Sequence, residues 1–152
     1  MTIEASGSRI PLVGRDQISG DVSTLYDDLL ADRGALPGWY KELIATRIAS
    51  LNHCESCVSV HRFRAGERGA ALEQVANFDS YETGPFTEKE KAGFRFSDLI
   101  HAGGGEIEDA AFDAMAALFS PREIIELTAV TAAFEFFPRN DCALCTPLKP
   151  IP

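Results

Sequence analysis

The sequence predicts an all-α fold, a compact bundle of about six to seven helices. Three observations lead there. No segment sustains the apolar–polar alternation of a half-buried strand. Apolar residues recur instead at spacings of three and four, as Leu43, Ile44, Ile48 and Leu51 do. Two stretches also pair the signals that open helices, Thr87 with Glu90 and Ser120 with Glu123.

In chain order, residues 1–20 read as an extended N-terminal arm, and residues 21–152 as a single helical domain with a C-terminal tail. Asp21 or Ser23 caps a first helix through Leu25, Leu29 and Leu30, ending near Arg33-Gly34. Pro37 suits the first turn of a second helix, whose apolar stripe is Leu43, Ile44, Ile48 and Leu51. Lys41, Glu42 and Arg47 are left for its other faces. Asn52 and His53 interrupt it, and a helix carrying two cysteines follows to Arg64 or Gly66. Residues 70–78 form a short helix before a turn-rich segment. Phe86 is placed as a hydrophobic staple for a helix capped by Thr87 and Glu90, which packs Phe94, Phe96 and Leu99 and stops at Gly103-Gly104-Gly105. A further helix spans about Asp109 to Phe119. Ser120, Pro121 and Glu123 start the last one, which is apolar almost all round from Ile124 to Phe137 and ends at Pro138. A helix with so little polar face belongs in a core or a subunit interface, so a homo-oligomer is expected.

The bulk numbers narrow the function. A net charge of −9 over 152 residues argues against nucleic acid and against anionic membrane surfaces as partners. Residues 1–20 contain no apolar signal core, and no apolar run is long enough to span a bilayer. A cytoplasmic location is therefore expected, where paired cysteines are catalytic or metal-binding more often than structural disulfides.

The chemistry concentrates in Cys54-Glu55-Ser56-Cys57, with His61 four residues on. If a helix starts at Asn52 or His53, positions 54, 57 and 61 share a face. The thiols then lie at the helix N-terminus, where the macrodipole and unpaired N–H groups favour a thiolate. Three readings stay open at this level: buried structural thiols, a tetrathiolate zinc site completed by Cys142 and Cys145, and a redox pair. Redox chemistry needs a nucleophilic thiolate, a second thiol to close the disulfide and a proton route. His61, one turn beyond Cys57, suits the last of these. His53 reads as a loop or cap residue, His101 as a helix C-terminal cap, and Glu55 as a solvent-facing residue of the first turn.

The stretch from Lys41-Glu42-Leu43-Ile44-Ala45 to Cys54-Glu55-Ser56-Cys57-Val58-Ser59-Val60-His61 resembles the core motif of the alkylhydroperoxidase D / carboxymuconolactone decarboxylase family. That motif has a Glu, a C-x-x-C twelve residues later, and a His four after the second Cys. Glu42, Cys54, Cys57 and His61 match all four positions. Ser120 to Thr128 resembles the family's last core helix, and the tail from Pro138 to Leu148 its ending. The resemblance implies an oligomeric AhpD-like bundle without a bound prosthetic group or metal. It further implies a hydroperoxide substrate and a dithiol protein as electron donor. By the same resemblance Cys57 is the attacking thiol, Cys54 the resolving thiol, and His61 with Glu42 the proton relay. Alkylhydroperoxidase D carries a His between its cysteines, where this chain has Ser56. The decarboxylase branch lacks the thiol pair, and Cys142 and Cys145 lie outside the motif.

Overall fold

The computed structural model describes residues 34–103 and 106–144. The expected N-terminal arm and first helix, the last two glycines of the run and the tail from Cys145 on lie outside these residues. Among the described residues the fold is all-helical, as expected. It comprises α1 (Gly38–Leu51), α2 (Glu55–Glu67), α3 (Leu72–Ala76), α4 (Glu88–Gly103), α5 (Asp109–Ala116) and α6 (Pro121–Leu144), with a 3-10 turn at Phe78–Ser80.

α1 is the axis of the molecule. It packs along α2 on one side and against α6 and α4 on the other. Surrounded in this way, it buries more than the expected stripe: Leu43, Ile44 and Ile48 are sealed, but so are Lys41 and Glu42, at 1% and 2% exposure. The amphipathic reading of this helix fails for that reason. Each buried charge is matched instead by a partner distant in sequence. Lys41 Nζ lies 2.7 Å from Glu126 Oε1 of α6. Glu126 Oε2 accepts the backbone N–H groups of Ala35 and Leu36, pinning the chain as it enters α1. A Cβ on Gly34 would run into the same carboxylate, which Lys41 and two backbone N–H groups hold in place, so glycine suits the close approach.

α1 ends in a Schellman motif: Cys54 N–H donates to the Ala49 carbonyl and His53 N–H to that of Ser50, both at 2.9 Å. His53 takes the left-handed conformation (φ 58°) usually given to glycine. α2 ends the same way, with Gly69 (φ 97°) in that position and Ala70 N–H on the Ala65 carbonyl. The cysteine helix is thus delimited at both ends by backbone geometry.

Both capping boxes form. Thr87 N–H donates to Glu90 Oε2 at 2.7 Å and Glu90 N–H to Thr87 Oγ1 at 3.3 Å. Ser120 N–H reaches Glu123 Oε2 at 2.8 Å, with Glu123 N–H returning to Ser120 Oγ at 3.4 Å. Burial pushes the Glu123 carboxyl up, but Lys89 and Ser120 outweigh it and hold the group below the usual carboxylate range. Phe86 is buried and packs edge-on to Phe94 at 5.2 Å, rather than on the N4 position a staple would use, which is Lys91. Leu99 departs from expectation: it is 42% exposed, while Phe94 and Phe96 fill the core.

The last helix requires one correction. It does not end at Pro138 but runs on to Leu144. A proline within a helix removes one ladder bond and crowds the preceding turn, at about 3 kcal/mol. Contacts around it offset part of this cost. Arg139 Nε donates to Asn52 Oδ1 at 2.9 Å, its Nη2 pairs with Glu135 at 2.6 Å, and the Pro138 ring is itself buried. In the single chain Ile125 is 51% and Phe136 64% exposed, while Ile124, Leu127, Val130 and Phe134 of the same helix are buried. His101 does not cap its own helix; Nδ1 pairs with Glu135 Oε1 at 2.6 Å, tying α4 to α6.

Candidate active site

Cys54 is the N-cap of α2 and Cys57 lies in its first turn, at the helix N-terminus as expected from the sequence, although the helix starts at Glu55, two to three residues later than Asn52 or His53. The two sulfurs form a disulfide. Both residues are nearly sealed, Cys54 at 2% exposure and Cys57 at 9%. Cavities flank the bond on either side. One, of about 170 Å³, is lined by Cys57, His61, Arg64, Phe134, Phe137, Pro138 and Asp141. The other, of about 530 Å³, opens beside Cys54, His53, Glu55 and Arg62.

Glu42 and His61 meet across the α1–α2 contact, with His61 Nδ1 at 2.6 Å from Glu42 Oε2. Arg68 Nε, 3.4 Å from Glu42 Oε1, places a guanidinium beside this buried carboxylate. The Phe134 ring packs edge-on against the imidazole at 4.5 Å between centroids. The ring is therefore fixed from two directions. With Nδ1 held by a carboxylate, Nε2 is the nitrogen left to exchange a proton, and His61 lines the same cavity as Cys57. All four residues singled out in the sequence fall within this one region. Glu55 is exposed, as expected, and so is His53.

Ser56 acquires a role the sequence did not suggest. Its hydroxyl lies 3.1 Å from Cys54 Sγ and 3.8 Å from Cys57 Sγ, within reach of both sulfurs. When the disulfide opens, this O–H can donate to the departing Cys54 thiolate. Ser56→Ala is expected to slow reduction of the disulfide by dithiothreitol about tenfold, the worth of one hydrogen bond to a charged group. Stopped-flow tryptophan or thiol-release kinetics would measure it, and an unchanged rate would remove Ser56 from the chemistry.

Asp141 was not anticipated at all. Its Oδ2 lies 3.9 Å from Cys57 Sγ, brought there because α6 continues past Pro138. A carboxylate at that distance opposes a thiolate, while Arg64 on the same cavity wall favours one. Asp141→Asn is expected to raise iodoacetamide alkylation of reduced Cys57 about fivefold at neutral pH, part of the repulsion being screened by solvent. Mass mapping of the Cys57 peptide over time reads this directly. Among the described residues no cluster of three or more His, Cys, Asp or Glu could hold a metal, and no helix is long and apolar enough to cross a membrane.

Residues 21–96 match the model of the carboxymuconolactone decarboxylase family, a span that contains Glu42, Cys54, Cys57 and His61. The chain is 23% identical over 118 residues to the uncharacterized protein YnjA of Escherichia coli strain K12, covering 77% of this chain and 65% of that protein. It thus spans slightly under two thirds of that relative's length. Among solved structures, one neighbour is a protein of unknown function from Agrobacterium tumefaciens, suggested to be the antioxidant defence protein AhpD. It has a TM-score of 0.72 at 23% identity, over 86% of this chain and 89% of that one. The debrominase Bmp8, bound to 2,3,4-tribromopyrrole, has a TM-score of 0.72 at 21% identity, over 83% and 67%. At these identities the likeness establishes the fold.

Proposed function

The chain belongs to the carboxymuconolactone decarboxylase family, and from that premise we propose that it is a thiol-dependent oxidoreductase of the alkylhydroperoxidase D kind, reducing hydroperoxides at Cys57. The observation that carries this reading is the buried Glu42–His61 pair sharing a cavity with one sulfur of a C-x-x-C disulfide.

In the reduced protein the Cys57 thiolate attacks the distal peroxide oxygen. An S–O bond forms, the O–O bond breaks, and His61 supplies a proton to the departing alkoxide. Glu42 holds Nδ1 and so orients the imidazole. The Cys54 thiol then attacks Cys57 Sγ; the S–S bond forms, the S–O bond breaks, and the thiol proton passes to the departing hydroxide, which leaves as water. Burial protects the intermediate sulfenic acid from outside thiols, and the first turn of α2 offers N–H dipoles to either thiolate. An outside dithiol resets the centre and needs no prosthetic group.

The test is stoichiometry. Reduced protein mixed with cumene hydroperoxide should consume about one equivalent per chain in a single turnover and yield one Cys54–Cys57 disulfide. The same thiol cycle could serve reductive dehalogenation, so 2,3,4-tribromopyrrole is the control substrate. Debromination without hydroperoxide consumption would overturn the peroxidase reading. Glu42→Gln is expected to slow the hydroperoxide step by some tens of times, toward the low end of what a positioned acid–base group contributes. An unchanged pH–rate profile in that variant would contradict the relay.

A further inference from the structure

The proposed cycle uses Cys57, Cys54, His61 and Glu42 and gives Asp141 no part, although its Oδ2 lies 3.9 Å from the reacting sulfur. The carboxylate is half-buried on α6, and among the described residues it makes no ion pair. An anion there opposes the thiolate that attacks, so any benefit falls on a later species. That species is the Cys57 sulfenic acid. Attack at sulfur runs in line, so its hydroxide leaves on the side of Cys57 Sγ away from Cys54. The cavity of about 170 Å³ lies there, for Cys57, His61 and Asp141 line it and Cys54 does not. An oxygen bonded to Sγ in this cavity comes within hydrogen-bonding reach of Asp141 Oδ2. Other charged groups act on it less. His61 has by then given up its proton, and Glu42 of α1 stands behind the imidazole on Nδ1. Arg64 of α2 lines the cavity but is exposed, so its charge is screened. Arg139 of α6 is engaged by Glu135 and Asn52.

The two protonation states of a sulfenic acid react differently. The neutral form is the electrophile that Cys54 attacks. The sulfenate anion is a nucleophile toward a second hydroperoxide: a second S–O bond forms, the O–O bond breaks, sulfur is oxidised to sulfinate and an alcohol leaves. We propose that Asp141 keeps the Cys57 sulfenic acid neutral by accepting its O–H, and so steers it to the Cys54–Cys57 disulfide and away from irreversible sulfinic acid. The proposal rests on the reading that Cys57 is oxidised through sulfenic acid. A carboxylate beside the group disfavours a second negative charge. The O–H it accepts stays on the oxygen while Cys54 closes the disulfide, and the hydroxide takes the thiol proton and leaves as water.

Hydrogen peroxide at millimolar concentration oxidises a thiolate without help from an active site. It therefore tests Asp141 separately from the peroxidase reading, which stands or falls on cumene hydroperoxide consumption. The full chain carrying Cys54→Ser, alone or with Asp141→Asn or Asp141→Glu, is treated with it over a range of pH. Peptide mass mapping follows Cys57 sulfenic acid, as its dimedone adduct, and its conversion to sulfinic acid. At neutral pH that conversion should run about tenfold faster with Asp141→Asn, and the pH at which it half-rises should fall by about one unit, since the anion then forms more readily. Asp141→Glu keeps the charge and should stay within about threefold of the parent chain. A side chain that merely packs would leave the pH midpoint unmoved. Equal conversion rates with Asp and Asn, an unmoved midpoint, or an Asp141→Glu chain as fast as the Asn one would overturn the proposal.

Discussion

Glu126→Ala is expected to destabilise the folded chain by about 3–5 kcal/mol, the cost of removing one partner from a buried ion pair. The reason lies in what the carboxylate holds. Lys41 is 1% exposed and loses the counter-charge 2.7 Å from its ammonium group. The Ala35 and Leu36 N–H groups lose their acceptor where the chain enters α1, and a buried donor without a partner costs about 1–3 kcal/mol. For a chain of this length the melting temperature should fall on the order of 10 °C. Glu126→Gln separates charge from hydrogen bonding. Its amide oxygen can still accept the backbone N–H groups, so it should cost less than the alanine variant. Urea unfolding of both proteins decides the matter. A loss below about 1 kcal/mol for Glu126→Ala would show that the pair is only a surface-type interaction.

The same ion pair shows why parts of this protein were readable in the sequence and parts were not. Cys54, Cys57 and His61 are related by local helical spacing, so a few residues of sequence suffice to place them together. Thr87–Glu90 and Ser120–Glu123 are equally local, and both boxes form. Lys41 and Glu42 looked like surface residues because α1 was read as amphipathic. Their burial is decided by α6 and α2, and Lys41 finds its partner 85 residues away. Glu42 entered the site through the family resemblance alone, since nothing local distinguishes it from an ordinary helix carboxylate. Asp141 was hidden by a propensity rule. Pro138 reads as a helix stop, yet the Arg139 contacts with Asn52 and Glu135 carry the helix through it. What tertiary contacts overrule, sequence patterns cannot show.

The assignment of the two thiols to different roles leads to the largest effect on chemistry. Cys57 shares its cavity with His61, whose ring is fixed by Glu42 and Phe134. Cys54 faces the opposite cavity, where His53 is exposed. The Ser56 hydroxyl is closer to Cys54, at 3.1 Å against 3.8 Å, which suits Cys54 as the thiolate that leaves when the disulfide is reduced. In Cys57→Ser the attacking group becomes a hydroxyl that stays protonated at neutral pH, and hydroperoxide reduction should fall by at least about a thousandfold. Cys54→Ser should behave otherwise. Its first step should run within about threefold of wild type, because Cys57 and its proton donor are intact. Turnover should then stop after about one equivalent, with Cys57 held as sulfenic acid and open to further oxidation. Mass spectrometry of the Cys57 peptide and a dimedone label would detect that species. If instead Cys54→Ser abolishes the first step while Cys57→Ser retains it, hydroperoxide enters on the Cys54 side. The Glu42–His61 pair would then serve only to fix the α1–α2 contact.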